Sequence, residues 1–141
     1  MQNEAGVNAN LRILQWSLRC GFLYFLSVAV VHMLGFKVPL LFVYFNVPSY
    51  AYQDRIISLL AFGWSIFFFT ASIDPVKQSA LVKAILCAGA GAVIGLSVVN
   101  LTTNFHALGA AIEPRAFWRE TAGLFLYWLW LVFFSVRSLR T

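Results

Sequence analysis

Four long apolar segments are the feature of this sequence that most constrains its fold. They cover about residues 18–36, 56–72, 80–101 and 122–136. A helix needs roughly 20 mainly apolar residues to span the hydrocarbon core of a bilayer. The first and third segments meet this length directly, and the other two meet it once their flanking turns are included. The sequence therefore predicts four transmembrane helices.

The alternative, a soluble helical bundle, requires each helix to carry one polar face. Residues 62–71 read FGWSIFFFTA, which is apolar around the whole circumference of a helix. Charged residues make up 11% of the chain, against about 25% in an ordinary soluble domain. The surplus apolar surface must therefore face lipid. We predict an all-α, polytopic membrane protein, a four-helix transmembrane bundle that forms one domain over residues 1–141.

Prolines help to place the ends of the predicted helices. Pro48 and Pro114 each precede an apolar segment, and a first helical turn tolerates proline because its N–H groups have no partner within the helix. The predicted helices span about 11–36, 49–73, 79–103 and 114–138. Between the first two helices, Pro39 and Pro48 bracket an apolar run that is too short to span. We expect this run to lie at the membrane interface or to fold back over the mouth of the bundle.

The distribution of basic residues predicts the orientation. The net charge is +5, but the basic residues are scattered between apolar segments, which is not the pattern of a nucleic-acid-binding surface. On the side of the two termini stand Arg12, Arg19, Lys77, Lys83, Arg137 and Arg140. On the opposite side, which we call the outer side, stand Lys37, Arg55, Arg115 and Arg119. Because basic residues favour the cytoplasmic face, both termini are predicted to be cytoplasmic.

Polar residues within the predicted helices concentrate at the outer ends, so a ligand site is expected there. The candidate residues are His32, Tyr52, Asp54, Arg55, Asn100, Arg119 and Glu120.

Two charge doublets, 54–55 and 119–120, follow Pro48 and Pro114 at similar offsets and with reversed sign order. This pattern predicts reciprocal pairs, Asp54 with Arg119 and Glu120 with Arg55. Charges that face lipid headgroups, or a ligand or catalytic site, are the alternative interpretations.

Two histidines on the outer side raise the question of haem or pigment ligation. His32 shares a helix face with Gly21, whose small size would admit a close neighbour. His106 is predicted to lie in a loop, whereas bundle proteins hold axial ligands on helices, so His32 alone remains a candidate ligand. No spacing of histidine, cysteine and acidic residues predicts a metal site.

The third segment contains a GxxxG step formed by Gly91 and Gly95. Small residues at this spacing let helix backbones approach closely. We therefore predict that this face packs inside the bundle or against a partner, which would be another membrane protein or a second copy of the chain.

The helix plan, together with Arg19, Gly21 and a His32-x-x-Gly35 ending of the first helix, resembles the DoxX-like group of small membrane proteins. The resemblance implies a four-helix architecture and an accessory or partner role, and it implies no catalytic residue.

Three functional hypotheses follow. The first is a non-enzymatic accessory subunit, because no nucleophile–base set is evident. The second is a binder of a quinone, carotenoid, haem or other hydrophobic ligand at the outer ends of the helices. The third is a lipid-modifying enzyme that uses Asp54 or Glu120 as an acid or base.

Overall fold

The computed structural model of the chain describes residues 2–39, 41–109 and 112–139. Its α-helices are α1 (Gln2–Leu34), α2 (Ala51–Ile73), α3 (Ser79–Thr102) and α4 (Pro114–Ser138), and a short 3-10 helix covers Phe105–Ala107. The described residues contain no strand. Each α-helix holds a stretch that is long and apolar enough to cross a membrane. The predicted fold class, an all-helical bundle with four membrane-spanning helices, is therefore confirmed, and the chain is a multi-pass membrane protein.

The helix ends follow from local sequence. α1 begins at Gln2 rather than at residue 11, and it ends at Leu34 rather than at residue 36. Gly35, with a φ of 73°, turns the chain out of this helix in a conformation that favours glycine. α2 begins at Ala51 rather than at residue 49. α4 begins at Pro114, whose fixed φ suits the first turn of a helix.

The four helices follow one another around the bundle, so that α1 contacts α2 and α4, and α3 contacts the same two helices. The contact between α1 and α2 is the most extensive, and the contact between α2 and α3 is the smallest of the four. α2 and α4 consequently stand diagonally across the bundle from each other.

The main core lies in the half of the bundle near the termini, which we call the inner half. All four helices contribute to it, through Leu14, Leu18, Phe68, Ala71, Val82, Ile85, Leu131 and Phe134. At the middle of the helices, large apolar side chains point outward instead, and Leu60, Ile94 and Leu126 are 63–65% exposed. Apolar surface of this extent in the middle of a helix is typical of contact with lipid.

Glycines on two helices differ in their surroundings. A Cβ added to Gly21 would lie 2.4 Å from the Phe68 ring and 2.6 Å from the Tyr127 hydroxyl. The predicted close approach at Gly21 is therefore present. Gly91 and Gly95 are exposed, and nothing lies within 4 Å of a Cβ added to either. Packing inside the bundle, the first of the two predicted roles of this face, is not observed, because α3 turns it away from the other helices; contact with a partner stays a prediction.

Candidate functional site

A groove of about 960 Å³ runs between α1 and α4 at the outer end of the bundle. Its α1 wall contains Cys20 and Tyr24, and its α4 wall contains Glu120, Gly123 and Tyr127. Cys20 and Gly123 are exposed, so the groove opens on the side of the bundle that faces lipid. The walls are mostly apolar, with a few polar groups. This composition is typical of sites that bind small hydrophobic molecules.

The roof of the groove is the segment 38–46 between α1 and α2, which we call the strap; the structure describes all of it except residue 40. Successive side chains of the strap point alternately toward the groove and toward the bundle. Leu41, Val43 and Phe45 line the groove. Phe42 and Tyr44 instead contact side chains of the bundle. The predicted folding back of this segment over the bundle mouth is thus observed, and the strap completes the groove.

Phe42 fixes the strap to α1. It is 5% exposed, and its ring stacks on the His32 ring with centroids 3.5 Å apart and planes 9° from parallel. The Nδ1–H group of His32 donates to the Val28 carbonyl oxygen at 2.9 Å, which orients the imidazole. The Nζ atom of Lys37 lies 4.7 Å from the Phe42 ring centroid, within range of a cation–π contact. The ring of Phe42 therefore lies between an imidazole and an ammonium group.

Asp54 fixes the beginning of the strap to α2. The Nζ atom of Lys37 donates to Asp54 Oδ2 at 3.0 Å, and the Ser49 hydroxyl contacts both carboxylate oxygens at 3.1 Å. Lys37 also donates to the Ser49 hydroxyl. The predicted pair of Asp54 with Arg119 is wrong. Because α2 and α4 stand diagonally, the nearest cation to Asp54 comes from the α1–α2 connection instead.

Tyr44 fixes the strap to α3 and α4. Its hydroxyl donates to Asn100 Oδ1 at 3.0 Å, and Asn100 Nδ2 donates to the Thr121 hydroxyl at 3.0 Å. The Tyr44 ring also contacts the rings of Phe105 and Phe117, with centroids 5.6 Å and 4.9 Å away. Burial raises the pKa of the Tyr44 phenol above its ordinary value. The strap is thus held to α1 through Phe42 and to α3 and α4 through Tyr44, and Lys37, the residue that precedes it, is held to α2 through Asp54.

Polar groups inside the groove come from both walls. Glu120 lines the groove, and its Oε2 atom is buried from solvent. It interacts electrostatically with Tyr24 on the opposite wall. The Tyr127 hydroxyl donates to the Ser17 carbonyl oxygen at 2.7 Å, which links the two walls. Arg119 is exposed at the rim. The groove therefore combines an apolar lining with the carboxyl groups of Glu113 and Glu120, the Arg119 guanidinium group and two phenols.

A second, shallower groove of about 790 Å³ continues along α1 and α4 toward the inner end. It shares Cys20 and Tyr127 with the first groove, and its other lining residues include Trp16, Leu126 and Trp130. Trp130 Nε1 donates to the Ser17 hydroxyl at 2.8 Å, which holds the indole against α1. The two grooves together follow the α1–α4 boundary over most of the membrane-spanning length.

The structure separates the predicted site residues into three groups. His32, Asp54 and Asn100 hold the strap and are buried. Arg119 and Glu120 line the groove. Tyr52 and Arg55 lie exposed on α2, outside the lining of both grooves.

The two histidines do not form the pair that haem ligation would use. His32 is covered by Phe42, and His106 is exposed on the 3-10 helix. Over the part of the chain that the structure describes, no group of three histidine, cysteine or acidic side chains could hold a metal ion.

Sequence reasoning missed Tyr24, Gly123 and Tyr127 as groove residues. A signal for the α4 wall was present, because Glu120, Gly123 and Tyr127 recur at steps of three and four and so share one helix face. No comparable signal identified Lys37 as the partner of Asp54, since that contact depends on the course of the connection between α1 and α2.

Comparison with protein-family models, with curated proteins and with solved structures finds no match to this chain.

Proposed function

We propose that the protein binds a hydrophobic small molecule of the bilayer in the α1–α4 groove. The observation that carries this proposal is the groove itself, with a volume of about 960 Å³ and a mostly apolar lining. Sites for small molecules and cofactors commonly have volumes of about 300–1,000 Å³ and a few polar groups that fix orientation. This corresponds to the second of the three functional hypotheses, with the site on α1 and α4 rather than across the whole bundle mouth.

The anchoring of the strap supports the same proposal. Side chains on α1, α3 and α4 hold its alternate residues Phe42 and Tyr44, while Leu41, Val43 and Phe45 line the groove. Contacts within the protein therefore hold the roof, and a site held in this way lowers the entropy cost of binding. A connection that served only to join two helices would not need three separate anchors.

Filling the groove tests this function. In Gly123→Trp, the new indole would occupy the groove, because Gly123 lines it and nothing lies within 4 Å of an added Cβ. Gly91→Trp is the matched control, since Gly91 is also an exposed helical glycine with open space around it, but on α3. Both proteins would be purified in mild detergent, and the retained lipid-like molecules would be identified by mass spectrometry.

We expect one molecule to be retained in stoichiometric amount by the wild type and by Gly91→Trp. Gly123→Trp should retain about a tenth as much of it or less, since a blocked site loses at least about 1.4 kcal/mol of binding free energy. Equal retention of every co-purified molecule by the two variants would contradict a ligand site in this groove.

The accessory-subunit hypothesis has a different observation in its favour. α3 is the least buried of the four spans, and it presents Gly91 and Gly95 outward. The DoxX-like resemblance of Arg19, Gly21, His32 and Gly35 agrees with a partner role. Crosslinking in native membranes, compared between the wild type and Gly91→Trp, tests this second function. A crosslinked species that is lost in the variant would support it.

The lipid-modifying enzyme is the least supported hypothesis. Of the two acids in this hypothesis, Asp54 is engaged by Lys37 and Ser49 and only Glu120 lines the groove. We further propose that both termini are cytoplasmic, on the distribution of basic residues.

A further inference from the structure

We propose that the groove takes an amphiphile whose polar head is a hydroxyl group, such as a long-chain alcohol or hydroquinone, and that Glu120 accepts the hydrogen bond of that hydroxyl. This inference rests on the proposed function of the groove and specifies its ligand class.

The position of Glu120 supports the assignment. It is the seventh residue of α4, so it lies about 9 Å along the helix from Pro114. Carboxyl groups at such a depth are costly, and in membrane helices they face cavities and mark sites for substrates or ions. Glu120 lines the groove and its Oε2 atom is buried from solvent, so the carboxyl group is in the apolar groove rather than among the headgroups.

The chemistry of a carboxyl group selects among hydrophobic ligands. It accepts a hydrogen bond from a hydroxyl whether or not it carries a proton. A carotenoid hydrocarbon gives it no partner. An oxidised quinone presents only acceptors, so it pairs only with the protonated carboxyl group, whereas the hydroxyls of a hydroquinone pair with either form. An ammonium head would have to leave water to enter the groove, and the desolvation of a charge is costly even when an ion pair forms. A neutral hydroxyl avoids this cost.

The walls below Glu120 fit an extended hydrocarbon chain. Gly123 and Leu124 continue the groove toward Tyr127, where it joins the inner groove beside Leu126 and Trp130. From Glu120 to Trp130 the helix rises about 15 Å. The aromatic side chains along this path give a chain broad apolar contact. The head would therefore lie at Glu120 under the strap, and the tail would point toward the inner half.

The test uses two probes that differ only in the donor. Farnesol carries a hydroxyl on a branched unsaturated chain, and farnesyl methyl ether has the same chain without the donor. The full-length protein, in detergent micelles, would be titrated with each probe, and binding would be measured by native mass spectrometry. The proteins compared are the wild type, Glu120→Gln, Glu120→Leu and Gly123→Trp.

We expect the wild type to bind farnesol about tenfold or more tightly than the ether, because only farnesol can donate a hydrogen bond to the Glu120 carboxyl group, and tenfold corresponds to about 1.4 kcal/mol. Glu120→Gln keeps an acceptor and should keep part of this preference. Glu120→Leu should bind both probes with equal affinity. If Glu120→Leu does not fold, the preference of the wild type and its reduction in Glu120→Gln still decide the matter.

Other outcomes separate this inference from the function on which it rests. Equal binding of the two probes by the wild type, with loss of both in Gly123→Trp, would overturn the hydroxyl assignment and leave the groove as a ligand site. A tenfold preference that persists in Glu120→Leu would show that another group receives the hydroxyl, and would also overturn the assignment. Binding of both probes that Gly123→Trp does not change would contradict the groove as the site.

Discussion

Asp54 illustrates how a single buried carboxylate organises the outer end of this molecule. Its side chain is only 9% exposed, whereas that of its partner Lys37 is 37% exposed. The two residues therefore depend on each other unequally. Without Asp54, the ammonium group of Lys37 reaches water easily. Without Lys37, the carboxylate stays buried and keeps its contacts with the Ser49 hydroxyl.

This asymmetry gives the first prediction. Lys37→Met should destabilise the folded protein by about 1–2 kcal/mol, since it leaves a buried charge with less compensation, and water screens part of the interaction. Asp54→Asn should cost less, because the amide is neutral. The double variant should cost less than the sum of the single ones, since the two residues are in direct contact. Unfolding in mixed micelles with increasing denaturing detergent measures these differences.

The pair formed by Lys77 and Asp74 serves as the control for this experiment. It is exposed, its atoms are 3.5 Å apart, and its residues lie three positions apart at the inner end. Lys77→Met should leave stability unchanged within error, because water screens such pairs. An equal effect of Lys77→Met and Lys37→Met would show that burial of Asp54 has no energetic consequence.

At the scale of elements, the strap depends on Tyr44 for its contact with α3 and α4. Tyr44→Phe keeps the ring but removes the hydrogen bond to Asn100, which is 9% exposed. A loss of about 1 kcal/mol is expected, because Asn100 Oδ1 then lacks this donor. Tyr52→Phe is the control, since the Tyr52 side chain is exposed. Equal stability of the two variants, measured by thermal unfolding, would contradict the anchoring role of Tyr44.

The same tyrosine predicts a dependence on alkaline pH. Burial raises the pKa of Tyr44 in the folded protein above its unfolded value of about 10. The contribution of the phenol to stability is therefore complete below about pH 10 and is lost as the pH rises through the higher folded value. The difference in stability between the wild type and Tyr44→Phe should accordingly shrink above about pH 10, which unfolding measured across this range would detect.

Helix packing gives another prediction at this scale. Gly21→Ala should destabilise by about 1–3 kcal/mol, because the added methyl group would overlap the buried Phe68 ring and the Tyr127 hydroxyl. Gly63→Ala has open space around it and should be neutral or stabilising, since alanine favours a helix by about 1 kcal/mol over glycine. Thermal unfolding measures the stability of both variants. If Gly21→Ala were as stable as Gly63→Ala, the packing argument would be contradicted.

The sequence predicts membrane-spanning elements better than it predicts contacts between them. Length and apolar character identify the four spans, since a bilayer requires both. The placement of Asp54 and Arg119 near the beginnings of α2 and α4 could also be inferred from Pro48 and Pro114. Their angular positions could not, because these depend on which helices are neighbours. For the same reason, the GxxxG spacing of Gly91 and Gly95 identifies a small face without showing what it faces.

For the whole molecule, orientation is the property that the sequence predicts and that the helices alone do not determine. Six basic residues stand on the side of the termini and four on the opposite side. We therefore expect a reporter enzyme that is active only outside the cytoplasm to be inactive when fused after Thr141, and active when inserted near His106, which is exposed between α3 and α4. The reverse pattern of reporter activity would show the opposite orientation, with the strap on the cytoplasmic side.

The lateral opening of the groove beside Cys20 and Gly123 has a consequence for how occupancy depends on concentration. A molecule that reaches the groove through this side diffuses in two dimensions and never passes through water. Its occupancy is then set by its mole fraction among the surrounding lipids, not by its aqueous solubility. Detergent molecules compete for the same opening during extraction. A scarce ligand therefore occupies the protein fully only when it binds much more tightly than the bulk lipids that surround it.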